Sequence, residues 1–178
     1  MGLPEIFISF QTAAVSAITR SARGVLAVAV KDATAGGAAE AAYKSLAEVP
    51  EDKFSPENYR LLKLAFLAAP TKVWVLRVGE EAEKTYQALE RLRFDWLAAP
   101  GLEDARVMSF IKTLRNGGRG VKAVVANATA PDCEGIVNLC VSGLTLEDGA
   151  MEAKDYAVRV AALLAALPLT RSATYVNL

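Results

Sequence analysis

The stretch Val25-Leu26-Ala27-Val28-Ala29-Val30 carries no polar side chain. A short continuous apolar run of this kind suits a strand covered on both faces, as in a parallel sheet. The segments 72–78, 121–126 and 136–141 have the same character and predict further strands. Between these runs the apolar positions recur at helical spacing. Ser55-Pro56-Glu57 predicts a helix start, because Ser caps open N–H groups and Pro suits the first helical position. The helix that follows places Leu61, Leu62, Ala65, Phe66 and Ala69 on one face and ends at Pro70. Residues 80–92 predict a helix with Ala82, Tyr86 and Leu89 inward, and 94–97 a short strand closed by Pro100-Gly101. Residues 103–115 predict a helix with Val107, Met108, Ile111 and Leu114 as its apolar face, stopped at Gly117 and Gly118. Residues 38–46 predict a short helix after a loop at 32–37. The last helix, 153–167, puts Tyr156, Val160, Leu163, Leu164 and Leu167 on its buried face and stops at Pro168. A new extended piece begins at 173.

Strands alternating with helices argue for an α/β fold with three layers and a mostly parallel sheet. That domain spans 24–178. Ahead of it, Glu5-Ile6-Phe7-Ile8-Ser9-Phe10 reads as a strand, and 11–23 is small and polar with no helical face. Residues 1–23 therefore read as an extended N-terminal arm. The pattern leaves open the alternative that this first strand joins the domain's own sheet.

Composition narrows the function. Over 178 residues the hydrophobic share is 53% and the charged share 22%, values of a folded globular chain. Twenty basic residues balance 20 acidic ones without a basic stripe, so no nucleic-acid partner is expected. Weak self-repulsion suits a protein that packs against copies of itself. No apolar run reaches membrane-spanning length, and the opening Met1-Gly2-Leu3-Pro4-Glu5 lacks the basic region of a secretory signal. Histidine is absent from the sequence, which excludes Ser-His-Asp and Cys-His catalysis and His-based zinc sites within the chain. Cys133 and Cys140 match no zinc or redox spacing; both read as plain thiols, Cys133 in a polar loop and Cys140 buried in an apolar run. No cofactor, metal or catalytic residue is expected.

Four features nevertheless resemble chemistry. Asp32 follows the first core strand, where a ribose ligand or a catalytic carboxylate sits in many open α/β sheets; the preferred reading is a turn Asp. Asn116-Gly117-Gly118-Arg119-Gly120 is glycine-rich, but it runs from helix to strand, the reverse of a phosphate loop. Ala35-Gly36-Gly37 follows a strand yet lacks the rest of any phosphate motif. The acidic pairs Glu51-Asp52, Glu80-Glu81, Glu103-Asp104 and Glu147-Asp148 mostly precede helices, where acids complement the dipole. Trp74 and Trp96 read as core, Arg91 and Arg93 as solvated.

Two longer stretches carry a family resemblance. The opening, residues 1–6 through Ala17-Ile18-Thr19-Arg20-Ser21-Ala22-Arg23-Gly24-Val25, resembles the start of tail sheath proteins from phages and prophages of Gram-positive bacteria. Residues 153–161 through Pro168-Leu169-Thr170-Arg171-Ser172-Ala173-Thr174-Tyr175 are similar to a helix and following segment of the same family. The resemblance implies a subtilisin-like α/β domain without protease activity, in a structural subunit of a contractile phage tail or tail-like bacteriocin. Such subunits polymerise around a tail tube and contract. The implied partners are other copies of the chain, the tail tube protein, and baseplate and tail terminator proteins; the implied location is the virion tail, assembled in the host bacterial cytoplasm. Extended arms of the family add strands to neighbouring subunits, which makes Ile6, Phe7, Ile8 and Phe10 expected inter-subunit contacts. Family members continue past the point matching Leu178, so the resemblance implies a chain truncated before the family's C-terminal region. The competing reading is a flavodoxin-like or subtilisin-like domain that binds a nucleotide or small ligand.

Overall fold

The structure, a computed structural model, describes residues 24–34, 36–127, 131–146 and 149–168. The expected arm 1–23 with Ile6, Phe7, Ile8 and Phe10, the pair Glu147-Asp148 and the piece from 173 lie outside the described residues.

The apolar runs form the expected sheet. Strands β1 (Val25–Lys31), β2 (Glu40–Tyr43), β3 (Lys72–Val78), β4 (Trp96–Ala98), β5 (Lys122–Val125) and β6 (Ile136–Asn138) lie in the order β2-β3-β1-β4-β5-β6. All neighbours are parallel except β2, which runs antiparallel to β3 with Ala41 opposite Val75. Helices α1 (Pro56–Phe66), α2 (Ala82–Arg91), α3 (Asp104–Asn116) and α4 (Ala153–Ala166) cover the sheet. A small antiparallel pair, β7 (Thr145–Leu146) and β8 (Gly149–Ala150), precedes α4.

Alternation along the strands divides the interior into two cores. Leu26, Val28, Val30, Val73 and Val75 pack with Leu61, Leu62 and Ala65 of α1 and with α4. Ala27, Ala29, Leu76, Leu97 and Val125 pack on the other face with Leu89 of α2 and Val107, Ile111 and Leu114 of α3. This is a three-layer α/β fold, the architecture the alternation predicts. Ser55 caps α1 as expected, accepting from the Asn58 N–H at 3.3 Å.

Several expectations are corrected. Residues 38–46 form no α-helix. Residues 40–43 become an edge strand, because pairing with β3 satisfies their backbone and overrides the helix propensity of an alanine-rich segment. The strand expected at 94–97 is shifted to Trp96–Ala98, and the one expected at 136–141 ends at Asn138. Cys140 lies beyond that end and is exposed, not buried; Cys133 is partly buried against the second core. Helix α1 stops at Phe66, and Ala69 leaves its face for an exposed position at φ 51°. The residue before a proline disfavours helical backbone, which moves the end of α1 upstream of Pro70.

Helix α4 shows the largest change of face. Ala157, Val158, Ala161, Ala162 and Ala165 are buried together with Val160, whereas Tyr156, Leu163, Leu164 and Leu167 are only partly covered. The helix packs against α1 and against β1, β4 and β5 at once. Small side chains permit that close approach; a stripe of leucines would hold the helix away from the sheet.

Candidate functional site

Strand order fixes where a ligand would sit. The chain leaves β1 for β3 on one side and then crosses to β4 on the other, so β1 lies at the switch point of a doubly wound sheet. Ligands in such sheets bind beyond the carboxyl ends of the strands at that point. A crevice of about 640 Å³ occupies this place, lined by Lys31 at the end of β1 and Asp32 after it, Glu80 after β3, and Gly101 and Leu102 after β4. Gly101 permits the close approach of the two loops: a Cβ there would lie 2.6 Å from the Lys31 backbone nitrogen. Helices α2 and α3 both start beside the crevice, and neither N-cap, Glu81 nor Glu103, makes a side-chain capping bond.

Asp32 borders the crevice, yet its carboxylate is fully engaged. Its side chain has no exposed surface. It accepts from the Thr34 N–H at 2.8 Å, the Ser55 N–H at 3.0 Å and the Asn58 amide at 2.8 Å. Arg77 lies 3.5 Å from it, donates to the Thr34 carbonyl at 2.9 Å and to the Lys53 carbonyl, and stacks 4.5 Å over the Phe54 ring. Burial alone would raise the pKa of Asp32; the hydrogen bonds from Thr34, Ser55 and Asn58 outweigh it and hold the carboxyl well below its usual range. The group is an ionised anchor that ties the β1 loop to α1 and β3. This is the turn reading of Asp32, enlarged by a buried ion pair.

Ala35 and the pair Glu147-Asp148 lie outside the described residues, and the following candidates resolve as structure. Gly117 caps α3 and Gly118 takes φ 84°, so the glycine-rich stretch is a helix end. Arg119 donates to the Glu90 and Leu92 carbonyls at 2.8 and 2.6 Å, closing the C-terminus of α2. Glu103 and Asp104 open α3, and Glu51 and Asp52 lie in a 3-10 turn. Trp96 packs against the first core and Trp74 against the second. Arg91 and Arg93 are exposed. Among the described residues no cluster of His, Cys, Asp or Glu is arranged to hold a metal ion.

Sequence reading gave no role to Arg77 or Asn58, and placed Tyr86 only as an inward residue of its helix, where it is indeed buried. Arg77 did leave a signal, since a charged residue within the strand run VWVLRV requires a buried partner. The Tyr86 side chain is among those lining the crevice, and its hydroxyl is buried with no hydrogen-bond partner among the described residues.

The described residues thus define a doubly wound, three-layer α/β domain, and comparison with known proteins extends this. No protein-family model matches the chain. Over 99% of its length the chain is 31% identical to the tail sheath protein of Clostridium phage phiCD119. It spans about half of that relative, 52% of its length. Among solved structures, the sheath tail protein of Desulfitobacterium hafniense matches with a TM-score of 0.72 at 14% identity, covering 96% of this chain and 64% of that one. The sheath tail protein of Listeria innocua matches at 0.69 and 17% identity, covering 85% and 58%. The chain is a homologue of a phage tail sheath protein and shares its fold with sheath tail proteins, which bears out the resemblance read from its two terminal stretches.

Proposed function

We propose that the chain is part of a structural subunit of a contractile phage tail sheath, or of a tail-like bacteriocin sheath, that polymerises around a tail tube. The observation that carries this reading is the similarity to a tail sheath protein along 99% of the chain. The fold supports it: two apolar cores and the buried Asp32–Arg77 pair make a stiff block, suited to moving as a unit when a sheath contracts. In this reading the subunit is not an enzyme. Its partners are further copies, the tail tube protein, and baseplate and tail terminator proteins, and it resides in the virion tail after assembly in the host cytoplasm. Residues 1–23 act as an arm, with Ile6, Phe7, Ile8 and Phe10 lending a strand to a neighbouring subunit, which satisfies the arm's backbone groups and covers its apolar side chains.

Negative-stain electron microscopy of the concentrated full-length protein, alone and with its tube protein, tests the reading. Hollow tubes or stacked rings are expected. Small monodisperse particles in both samples would overturn it.

A further inference from the structure

Among the described residues the sheet ends at β2 on one side and β6 on the other, and the two edges differ. Edge strands are commonly guarded by charge against pairing with other chains. Glu40 lies in β2 and Lys44 directly follows it. Around β6, by contrast, no side chain from 135 to 146 is charged. The Ala123 N–H donates to the Gly135 carbonyl at 2.9 Å, and the Leu139 N–H to the Val125 carbonyl at 2.8 Å. Successive residues of a paired strand bond to opposite sides, so the odd residues of β6 face β5. The Asn138 N–H and the carbonyls of Ile136 and Asn138 therefore point away from the sheet, and they have no partner among the described residues.

The side chains agree. Val137 pairs with Val124, so it shares the face of the first core, against which Leu139 also packs. Helix α4 covers β1, β4 and β5 on that face, while Val137 stays 36% exposed. Val141, just past the strand, is 40% exposed. Among the described residues the other exposed large apolar side chain is Leu67, at the end of α1.

An uncharged apolar edge calls for an apolar strand. Two segments outside the described residues read as extended, 5–10 and the piece from 173. Handedness excludes the second. The crossover β1–α1–β3 passes over the first-core face and moves toward β2. A parallel strand beyond β6, reached through α4 on that same face, would move the opposite way and make a left-handed crossover, which parallel connections avoid. The segment 5–10 fits by alternation. Ile6, Ile8 and Phe10 fall on one face, and Glu5, Phe7 and Ser9 on the other. The wholly apolar row matches Val137 and Leu139; the row with two polar residues takes the side of Ile136 and Asn138.

We propose that the outer edge of β6 accepts residues 5–10 of a second copy of the chain as an added strand, with Ile6, Ile8 and Phe10 on the side of Val137. This rests on the sheath reading, in which 1–23 reaches a neighbour, and adds where the arm lands.

The test is disulfide scanning in assembled full-length protein carrying Cys133→Ser and Cys140→Ser. Val137→Cys is combined in turn with Ile6→Cys, Phe7→Cys, Ile8→Cys, Ser9→Cys or Phe10→Cys, and each pair is oxidised. Inter-subunit ladders on non-reducing gels are expected from one or more of positions 6, 8 and 10, and from neither 7 nor 9. Urea unfolding checks that each variant is folded. Val137→Glu, at an exposed position, is expected to keep its urea midpoint and to lose tubes and rings in electron micrographs. Tubes without a cross-link from 6, 8 or 10 would overturn the acceptor edge and leave the sheath reading standing. Equal cross-linking from 7 and 9 would overturn it too, as would a disulfide confined to the monomer, which places the arm on its own sheet. Absence of tubes and rings from the unsubstituted protein would overturn the sheath reading itself, and this proposal with it.

Discussion

Arg77 interrupts an otherwise apolar strand, and its surroundings explain why it is retained there. The guanidinium binds two carbonyls, stacks on Phe54 and faces Asp32, and Gly37 leaves the space it occupies. Removing one member of a buried pair strands the other, so Arg77→Ala is expected to cost about 3–5 kcal/mol in urea unfolding. Asp32 adds a pH signature. Its folded pKa is depressed, so as pH falls the unfolded chain takes up the proton first. Stability from this group is full above the unfolded value, about 4, and is lost as pH drops below it. Urea midpoints between neutral and acid pH check this: Asp32→Asn should flatten the acid limb, and an unchanged slope would remove Asp32 from the account. The sequence located Asp32 and its turn but not its partners, since Ser55, Asn58 and Arg77 are 23 to 45 positions away and no local pattern links them.

Helix α4 marks the limit of periodicity as a guide to which face is buried. Its large side chains and its alanines both repeat at helical spacing, and the leucine stripe is the more hydrophobic by composition alone. The buried face is set by how close the helix must come to α1 and the sheet, a tertiary demand that favours alanine. Ala161→Leu is therefore expected to lose about 1–3 kcal/mol through overpacking. Leu163→Ala, on a partly covered position, should cost less than the 2–5 kcal/mol of a core truncation such as Leu62→Ala. The reverse order in urea unfolding would restore the leucine face. At the start of the same helix, burial first and then Glu152 and Glu57 raise the Asp155 pKa, against Lys154 and Arg60. A raised carboxyl is destabilising once ionised, so stability from this group falls as pH rises through its folded pKa. Asp155→Asn should raise the thermal midpoint at neutral pH, with a gain that shrinks on acidification; a constant gain would point to another cause. By contrast α3 was legible in full, all four of its expected inward residues being buried, because it covers only one face of the sheet with large side chains.

At the scale of the molecule, alternating strands and helices made the three layers legible, while strand order was not, because periodicity carries no information on which strands become neighbours. That order now bears on the first segment. Strand β1 begins at Val25 and is already paired with β3 on one side and β4 on the other. Every interior position of the sheet is filled among the described residues, so a strand from 5–10 can join its own sheet only outside β2 or β6. On the arm reading the two cores need nothing from that segment; among the described residues their buried members lie between Leu26 and Ala165. Deleting residues 1–20 from the full-length protein is therefore expected to leave a single cooperative urea transition at an unchanged midpoint, and to abolish tubes and rings in electron micrographs. A broadened or missing transition would make the segment part of the domain's own sheet. Tubes that still form after the deletion would remove Ile6, Phe7, Ile8 and Phe10 from the inter-subunit contacts and shift that role to surfaces of the folded domain.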